Sequence, residues 1–193
     1  LLPVTDGMRV LDACAAPGGK TAHLLERADI HLVALDVDAK RLERVSENIQ
    51  RLGLDGDHVH LRAAPAQDLD TWWDGVPFDA ILADVPCTAA GIVRRHPDIR
   101  WLRRESDIHA TSALQQQILK ALWGTLKPAG HLLYVTCSIF PEEGQQQLDQ
   151  FLTEHADAVL LPESPLQVLP SLETRDHPGG DGFFYALLQK SAH

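Results

Sequence analysis

The stretch RVLDACAAPGGKTAHLLERADIHLVALD, residues 9–36, decides the fold of this chain. It begins and ends with aliphatic runs that are typical of strands covered on both faces. Between them lie a loop of small residues and glycines and a segment with helical periodicity. A strand, a helix and a second strand in this order predict two parallel strands joined by a right-handed crossover.

The same alternation continues along the rest of the chain. Predicted strands span residues 9–13, 31–36, 59–63, 80–84, 131–137 and 182–189, and predicted helices span residues 21–28, 39–52, 112–126 and 141–154. We expect Gly130 to end the third helix. We expect Pro141 to begin the fourth, with Glu142 and Glu143 at the positive end of its dipole. The pattern predicts an α/β fold with a doubly wound, mostly parallel sheet.

Length and cysteine usage restrict the class of protein. The 193 residues favour a single domain, 1–193, with a core that needs no disulfides or metal. Cys14, Cys87 and Cys137 form no C-x-x-C pair, which argues against a zinc site and for a reducing compartment. The longest apolar run, residues 183–188, is too short to span a membrane, and no signal peptide opens the chain. We therefore expect a cytoplasmic monomer with no membrane contact and no metal.

The distribution of charge is uneven. The formal net charge is −10, whereas a free-standing nucleic-acid-binding domain usually has an excess of basic residues. A short segment is nevertheless strongly basic, because it contains Arg94, Arg95, Arg100, Arg103 and Arg104. This segment is either a local binding surface for a polyanion or a solvated charged loop. Since the chain begins at Leu1 rather than at a methionine, we expect it to be a fragment.

The segments with unusual composition all follow predicted strands. They are residues 14–20, Asp36, Ala64, residues 84–87 and residues 136–138. In a doubly wound sheet the ligand site lies beyond the carboxyl ends of the strands. We therefore expect these segments to lie around one site at a single edge of the sheet.

The first of these segments favours a nucleoside ligand. A phosphate-binding P-loop would need a glycine where Cys14 stands, and the G-x-G-x-x-G spacing of dinucleotide sites is absent. The third possibility is an adenosine-type cofactor without a pyrophosphate. Asp36, at the end of the second strand, is suitably placed to bind ribose hydroxyls. The alternative is a helix-capping turn followed by an ordinary acidic residue, but loop and acid together favour the nucleoside site.

Two cysteines follow strands at the same edge. A single cysteine is usually a small buried hydrophobic residue. A zinc deaminase would need a second cysteine where Ala90 stands. A thiolate that adds to C6 of a pyrimidine makes C5 nucleophilic towards an electrophilic methyl group, and an acid such as Asp84 can hydrogen-bond to the ring. The residues alone leave open whether Cys87 or Cys137 is the nucleophile.

Several motifs, taken together and in order, resemble a known family. They are DACAAPGGKT at 12–21, DVPCT at 84–88, RRHPD at 94–98, YVTCS at 134–138 and DGFFYA at 181–186. This combination is similar to the Sun family of RNA cytosine-5 methyltransferases, and the resemblance extends along nearly the whole chain. It implies a Rossmann-like methyltransferase fold, S-adenosylmethionine as methyl donor and a cytidine of small-subunit (16S) ribosomal RNA as acceptor.

The resemblance also implies roles for individual residues. Cys137 would be the nucleophile, Cys87 would assist release of the product, and Asp84 would contact both the cofactor and the base. The cofactor would be bound by Cys14, Ala15, Ala16, Pro17, Gly18, Gly19, Lys20, Asp36, Ala64 and Asp84. The family usually has an acid near the adenine where Ala64 stands, which makes Asp68 a candidate substitute. An upstream RNA-binding domain is also implied, and these residues do not include it.

Two other functions remain open from the sequence. A catalytically weak or inactive module that binds RNA or a nucleoside would keep the same fold, and Ala64 favours it. A P-loop nucleotide hydrolase is disfavoured by Cys14. Retention of both cysteines together with Asp84 favours the methyltransferase, because a module that only binds does not need them.

Overall fold

The computed structural model describes residues 1–172 and 179–192. Its strands are β1 (Arg9–Asp12), β2 (His31–Asp36), β3 (Val59–Ala63), β4 (Phe78–Asp84), β5 (Leu126–Thr136), β6 (Ala158–Leu160), β7 (Leu166–Val168) and β8 (Phe183–Lys190). Its helices are α1 (Gly19–Arg27), α2 (Ala39–Arg51), α3 (Ile99–Leu102), α4 (Glu105–Thr125) and α5 (Gln145–Glu154).

The strands form one sheet in the order β3-β2-β1-β4-β5-β8-β6, with β7 also pairing with β8. Strands β1 to β5 are parallel, and β8 runs antiparallel to β5. Leu11 of β1 pairs with Val33 of β2 on one side and with Ile81 of β4 on the other. The chain order therefore reverses at β1, which is where such sheets bind ligands. The predicted doubly wound, mostly parallel α/β fold is confirmed.

Alternate residues of the central strands face opposite sides of the sheet. Leu11 and Ile81 belong to a buried cluster that includes residues of α4 and α5. Val10 and Ala80 belong to a second cluster that includes residues of α1 and α2. The sheet is thus covered on both faces, as the aliphatic runs predict. An exception is β3, which forms an edge of the sheet and is largely exposed, although its composition resembles that of a buried strand.

The third predicted helix differs from the observed one at both ends. Helix α4 begins at Glu105, where the Asp107 carboxylate accepts a hydrogen bond from the Arg104 amide. It ends at Thr125, so the prediction that Gly130 ends this helix is wrong. The chain enters β5 at once because Leu126 pairs with Phe78 of β4. Gly130 instead allows a close approach, since a Cβ there would lie 3.0 Å from the carbonyl oxygen of Asp79.

The fourth predicted helix is divided into two parts. Pro141–Glu143 form a 3-10 turn, and α5 begins only at Gln145. Glu143, predicted at the positive end of the helix dipole, lies in the 3-10 turn and is fully buried. Its carboxylate binds the segment that follows β4. The tertiary hydrogen bonds of Glu143, rather than the helix dipole, determine where this residue lies.

In the ranges 1–172 and 179–192, every helix is too short or too polar to cross a lipid bilayer.

Candidate active site

A cavity of about 290 Å³ lies at the carboxyl ends of β1, β2 and β4. Each of the five predicted segments contributes to its lining, through Cys14, Ala16, Asp36, Ala64, Asp84, Cys87 and Cys137. Sequence reasoning missed other parts of the wall. Leu114 and Ile118 come from α4, and Val37 follows Asp36 as an exposed apolar side chain. The volume is close to the lower end of the range of small-molecule sites, about 300–1,000 Å³.

The loop after β1 shapes one wall of the cavity. Gly18 has a φ of 103°, and a Cβ there would lie 3.0 Å from Cα of Val45, so α1 packs closely against α2 only with glycine at this position. The Ala15 amide donates to the Leu35 carbonyl at 2.7 Å, which fixes the loop against β2. Ala15 and Gly18 therefore support the loop, and among the described residues of this loop Cys14 and Ala16 line the cavity itself. Binding of the cofactor by residues 14–20 stays a prediction.

Asp36 connects this loop to the end of β2. Its side chain is only 4% exposed. One carboxylate oxygen accepts from the Ala16 amide at 3.2 Å, and the other accepts from the Asp38 amide at 3.0 Å. Arg41 lies 3.5 Å from the same carboxylate. Because each oxygen still has acceptor capacity, Asp36 can also bind the hydroxyls of a ribose.

Cys87 and Cys137 form a pair of thiols at the wall of the cavity. Their Sγ atoms are 3.4 Å apart. The hydrogen bond between the two sulfurs lowers the pKa of the Cys137 thiol, although burial and the charge of Asp84 oppose this. The same hydrogen bond and burial raise the pKa of Cys87 well above its usual range. The arrangement therefore favours a thiolate at Cys137, stabilised by the thiol of Cys87.

Asp84 lies next to this pair and is bound to Lys20. The Lys20 Nζ is 2.6 Å from a carboxylate oxygen of Asp84. Burial disfavours the charged ammonium, but the carboxylate of Asp84 outweighs it and raises the pKa of Lys20. Lys20, which the sequence placed in the cofactor loop, thus binds Asp84. The charges of Lys20 and Asp84 both act on the thiol of Cys137.

Asp12 lies beneath the site and was not found from sequence. Its side chain is 1% exposed. One oxygen accepts from the Thr21 hydroxyl at 2.7 Å, whereas the other has no hydrogen-bond partner among the described residues. Burial raises the pKa of Asp12 to about 7, despite the hydrogen bond from Thr21. Burial and the neighbouring carboxylates of Asp12 and Asp84 also raise the pKa of Cys14, so that this cysteine is held as a thiol.

A comparison with protein families identifies the relatives of this chain. A family model described as 16S rRNA methyltransferase RsmB/F matches residues 1–189. The chain belongs to this family. The resemblance to the Sun family is thereby confirmed. The RsmB/F chain is 50% identical, over 196 residues, to "Ribosomal RNA small subunit methyltransferase B" of Erwinia tasmaniensis. The match covers 98% of this chain and 44% of that protein, so the chain spans less than half the length of this curated relative.

Solved structures give the same result for the fold. NSun6 from Pyrococcus horikoshii, solved with SFG, superposes with a TM-score of 0.79 at 31% identity, and the match covers 97% of this chain and 49% of that one. A methyltransferase homologue from P. horikoshii gives a TM-score of 0.78 at 31% identity, covering 98% and 63% of the two chains. The RsmB/F chain has the Rossmann-like fold of S-adenosylmethionine-dependent methyltransferases.

The RsmB/F chain departs from the expected pattern at the end of β3. Ala64, where the family resemblance implies an acid, is buried at the cavity wall. Asp68, the candidate substitute for that acid, is exposed and is not among the described residues that line the cavity, and its role stays a prediction. Among the described residues after β3, Gln67 supplies the polar side chain at the cavity. A neutral amide therefore stands near the place where the family usually has a charge.

Three of the five arginines named from sequence make contacts within the RsmB/F chain. The Nε atoms of Arg94 and Arg95 lie 3.7 and 2.6 Å from the carboxylate of Asp181. The Nε of Arg103 donates to the Thr88 carbonyl at 2.8 Å. These three residues therefore hold the segment that follows Cys87. Binding of RNA by Arg94, Arg95, Arg100, Arg103 and Arg104 stays a prediction.

Two glycines complete the support of the cysteines. The Gly91 amide donates to the Cys137 carbonyl at 2.9 Å, and the Gly182 amide donates to the Gly91 carbonyl at 2.7 Å. A Cβ on Gly91 would overlap the carbonyl oxygen of Gly182. The first two residues of the DGFFYA motif thus contact the segment that follows Cys87.

Within ranges 1–172 and 179–192 no cluster of three His, Cys, Asp or Glu residues suits a metal ion, and the expectation of a metal-free site stays a prediction.

Proposed function

We propose that this chain is the catalytic part of an enzyme that transfers a methyl group from S-adenosylmethionine to C5 of a cytidine in small-subunit (16S) ribosomal RNA. The transfer proceeds through a covalent bond between Cys137 and C6 of the base. The observation that carries the proposal is the pair of thiols, 3.4 Å apart and next to Asp84, at the wall of a nucleoside-sized cavity. Membership of the RsmB/F family supports the reaction and the substrate.

The residues present fit the cofactor. Asp36 offers carboxylate oxygens for the ribose, and Val37 with Ala64 offers apolar surface for the adenine. The carboxylate of Asp84 lies where it can attract a positively charged sulfur. S-adenosylmethionine supplies an electrophilic methyl group on such a sulfur. Replacing an acid by a neutral group beside the adenine loses a hydrogen bond worth about 1 kcal/mol, which weakens binding several-fold without abolishing it.

Each polar side chain at the site has a separate role in the proposed reaction. The thiolate of Cys137 attacks C6, and the electron pair released into the ring makes C5 the nucleophile that takes the methyl group. Asp84 hydrogen-bonds to the edge of the ring and favours the electron-rich intermediate, and Lys20 holds its carboxylate in place. Transfer of the C5 proton to water then returns the C5–H electron pair to the ring, which re-forms the C5–C6 double bond and expels Cys137 from C6 as a thiolate. The thiol of Cys87 donates to Cys137 and stabilises the departing thiolate.

The substrate reaches the thiols along the basic segment. Trp101 is 84% exposed and offers a ring on which a base can stack, and Arg100 lies beside it. The target base must leave its stack before C6 can be attacked, at a cost of a few kcal/mol that is smaller in a loop than in a duplex. We therefore propose an unpaired or loop cytidine as the target. The upstream RNA-binding domain remains an expectation from the family resemblance.

The test is a crosslink with a modified substrate. The chain is incubated with S-adenosylmethionine and a small-subunit RNA fragment that contains 5-fluorocytidine, and the crosslinked peptide is mapped by mass spectrometry. Fluorine at C5 cannot leave as a proton does, so the covalent intermediate accumulates. We expect the adduct on Cys137. The matched control is Cys137→Ala, which should give none.

Two other results would change the proposal. An adduct on Cys87 would keep the reaction and exchange the roles of the cysteines. A chain that binds S-adenosylhomocysteine but forms no adduct with RNA fragments of the full target region would favour the inactive RNA- or nucleoside-binding module. The neutral residue at Ala64 also favours this module.

A further inference from the structure

Glu143 is a buried carboxylate that the proposed reaction does not use. Its exposure is 0%. The carboxylate accepts hydrogen bonds from the Thr88 amide at 2.8 Å, from the Thr88 hydroxyl at 2.5 Å and from the Thr111 hydroxyl at 2.5 Å. In the part of the chain that the structure describes, no Lys, Arg or His forms an ion pair with it. Burying a carboxylate without a cation is unfavourable, so the hydrogen bonds must hold it there.

The contacts of Glu143 join the peptides that carry the two cysteines. Thr88, which follows Cys87, is held by the carboxylate. The backbone carbonyl of Glu143 accepts from the hydroxyl of Thr136, the residue before Cys137, at 3.1 Å. A single residue thus binds one neighbour of each cysteine. The two Sγ atoms meet at 3.4 Å between these contacts.

A second contact strengthens the same connection. Gln115 of α4 donates to the Pro86 carbonyl at 2.9 Å, on the other side of Cys87. The same amide lies 3.4 Å from the Glu143 carboxylate. Four donor groups therefore converge on two carboxylate oxygens. An ionised carboxylate only accepts hydrogen bonds and suits this surrounding, whereas a glutamine would direct its own NH2 group towards a donor.

The charge of Glu143 affects the ionisation of Cys87 rather than that of Cys137. Cys87 faces Cys137, Glu143 and Tyr134. Cys137 faces Cys87, Asp84, Lys20 and Tyr185. The charge of Glu143 disfavours a thiolate at Cys87. At Cys137 the carboxylate of Asp84 disfavours a thiolate and the ammonium of Lys20 favours one, so the hydrogen bond between the two sulfurs decides the order.

We propose that Glu143 is a positioning residue for the thiol pair: it holds the Cys87 loop against the end of β5, and its charge keeps the proton on Cys87 so that Cys137 carries the negative charge. The proposal rests on the proposed function, since it explains why one cysteine attacks and the other assists. Glu143 is not a lining residue of the cavity and acts through Cys87 and Cys137.

The test compares Glu143→Gln with Glu142→Gln, a neighbouring carboxylate that makes no side-chain hydrogen bond in the described residues. Iodoacetamide is added to each chain without RNA or cofactor, and the alkylation rates of Cys87 and Cys137 are read by mass spectrometry. In the unchanged chain Cys137 should react faster. Glu143→Gln should reduce the ratio of the two rates about twofold or more, because loss of this negative charge makes the Cys87 thiol easier to ionise. Glu142→Gln should leave the ratio unchanged.

A second variant separates geometry from charge and serves if Glu143→Gln does not fold. Thr88→Val removes one hydrogen bond to the carboxylate and keeps its charge. It should lower kcat of methyl transfer roughly ten- to a hundredfold with little change in KM for S-adenosylmethionine, because the thiols are displaced rather than the cofactor site. Affinity for S-adenosylhomocysteine is the control for folding.

An unchanged alkylation ratio in folded Glu143→Gln, or an unchanged kcat in Thr88→Val, would overturn the assignment of Glu143. These outcomes differ from failure of the proposed function. A chain that forms the 5-fluorocytidine adduct but keeps its alkylation ratio refutes only the role of Glu143. A chain that forms no adduct but shows the ratio change refutes the reaction and leaves the electrostatic ordering of the thiols in place.

Discussion

At the scale of single residues, chemically identical side chains differ because of a few contacts. Cys87 and Cys137 are both cysteines after parallel strands, and the residues alone do not rank them. Their ranking depends on a contact of 3.4 Å and on the charges around each sulfur. These distances depend on strands that are far apart in sequence. The motif positions were therefore predictable, whereas the protonation of each thiol was not.

The buried Asp12 gives the stability of the protein a defined pH dependence. In the unfolded chain it titrates near 3.8, and in the folded protein near 7. Between these values the folded protein keeps a proton that the unfolded chain has released, so the free energy of unfolding falls as the pH rises from about 4 to about 7. Asp12→Asn should remove this decline, because asparagine does not titrate. The measurement is urea unfolding at several pH values.

The control for Asp12 is Asp70→Asn, which changes an exposed aspartate. It should keep the decline of the unchanged chain. If Asp12→Asn and the unchanged chain lose stability in parallel between about pH 4 and about pH 7, the raised pKa of Asp12 is refuted.

At the scale of elements, the strength of the sequence pattern decides what is predictable. Strands β1, β2 and β4 agree with their predicted spans to within a few residues, because aliphatic runs of this length are unambiguous. Strands β6 and β7 are three residues each and were missed. The first turns of α4 were missed because residues 105–111 are mostly polar. Short or polar elements depend on tertiary contacts that periodicity does not reveal.

The close approach of Gly91 to β8 predicts a strong effect of one added methyl group. Gly91→Ala would place a Cβ on the carbonyl oxygen of Gly182, so we expect a loss of stability of about 1–3 kcal/mol, as for an overpacked core. The matched control is Gly124→Ala within α4, where a Cβ meets nothing within 4 Å. Gly124→Ala should instead raise stability by about 0.5–1 kcal/mol, since alanine is the better helix former.

Both glycine variants are measured by urea denaturation. Equal effects of the two substitutions would contradict the close contact between Gly91 and Gly182. A stable Gly91→Ala variant with full methyl transfer would show that the segment after Cys87 can move away from β8 without consequence.

At the scale of the whole molecule, the sheet order explains why scattered motifs form one site. The reversal at β1 brings the ends of β1, β2 and β4 together, and this consequence of the α/β pattern was predictable. The contacts of the arginines in the basic segment were not predictable. Three of its arginines are engaged within the chain, which composition does not reveal. An excess of acidic residues elsewhere leaves few cations for a polyanion.

The arginines should therefore differ in their effect on RNA binding. Arg100 makes no ion pair among the described residues, whereas Arg103 holds the Thr88 carbonyl. Arg100→Ala should reduce the slope of log affinity against log salt by about 0.7, the value for one phosphate contact on single-stranded RNA. Arg103→Ala should lower methyl transfer with little change in that slope. Equal slope changes for both variants would contradict this division.

The contact between residues 91–95 and residues 181–182 joins parts of the chain that are synthesised at different times. Strands β1 to β5 precede β8 in the chain and can pair before β8 has been made. The partners of Gly91, Arg94 and Arg95 are Gly182 and Asp181, which the ribosome adds about ninety residues later. A nascent chain that ends before residues 181–182 lacks these contacts with the segment that follows Cys87. The thiol pair therefore gains this support only from residues that are among the last to be synthesised.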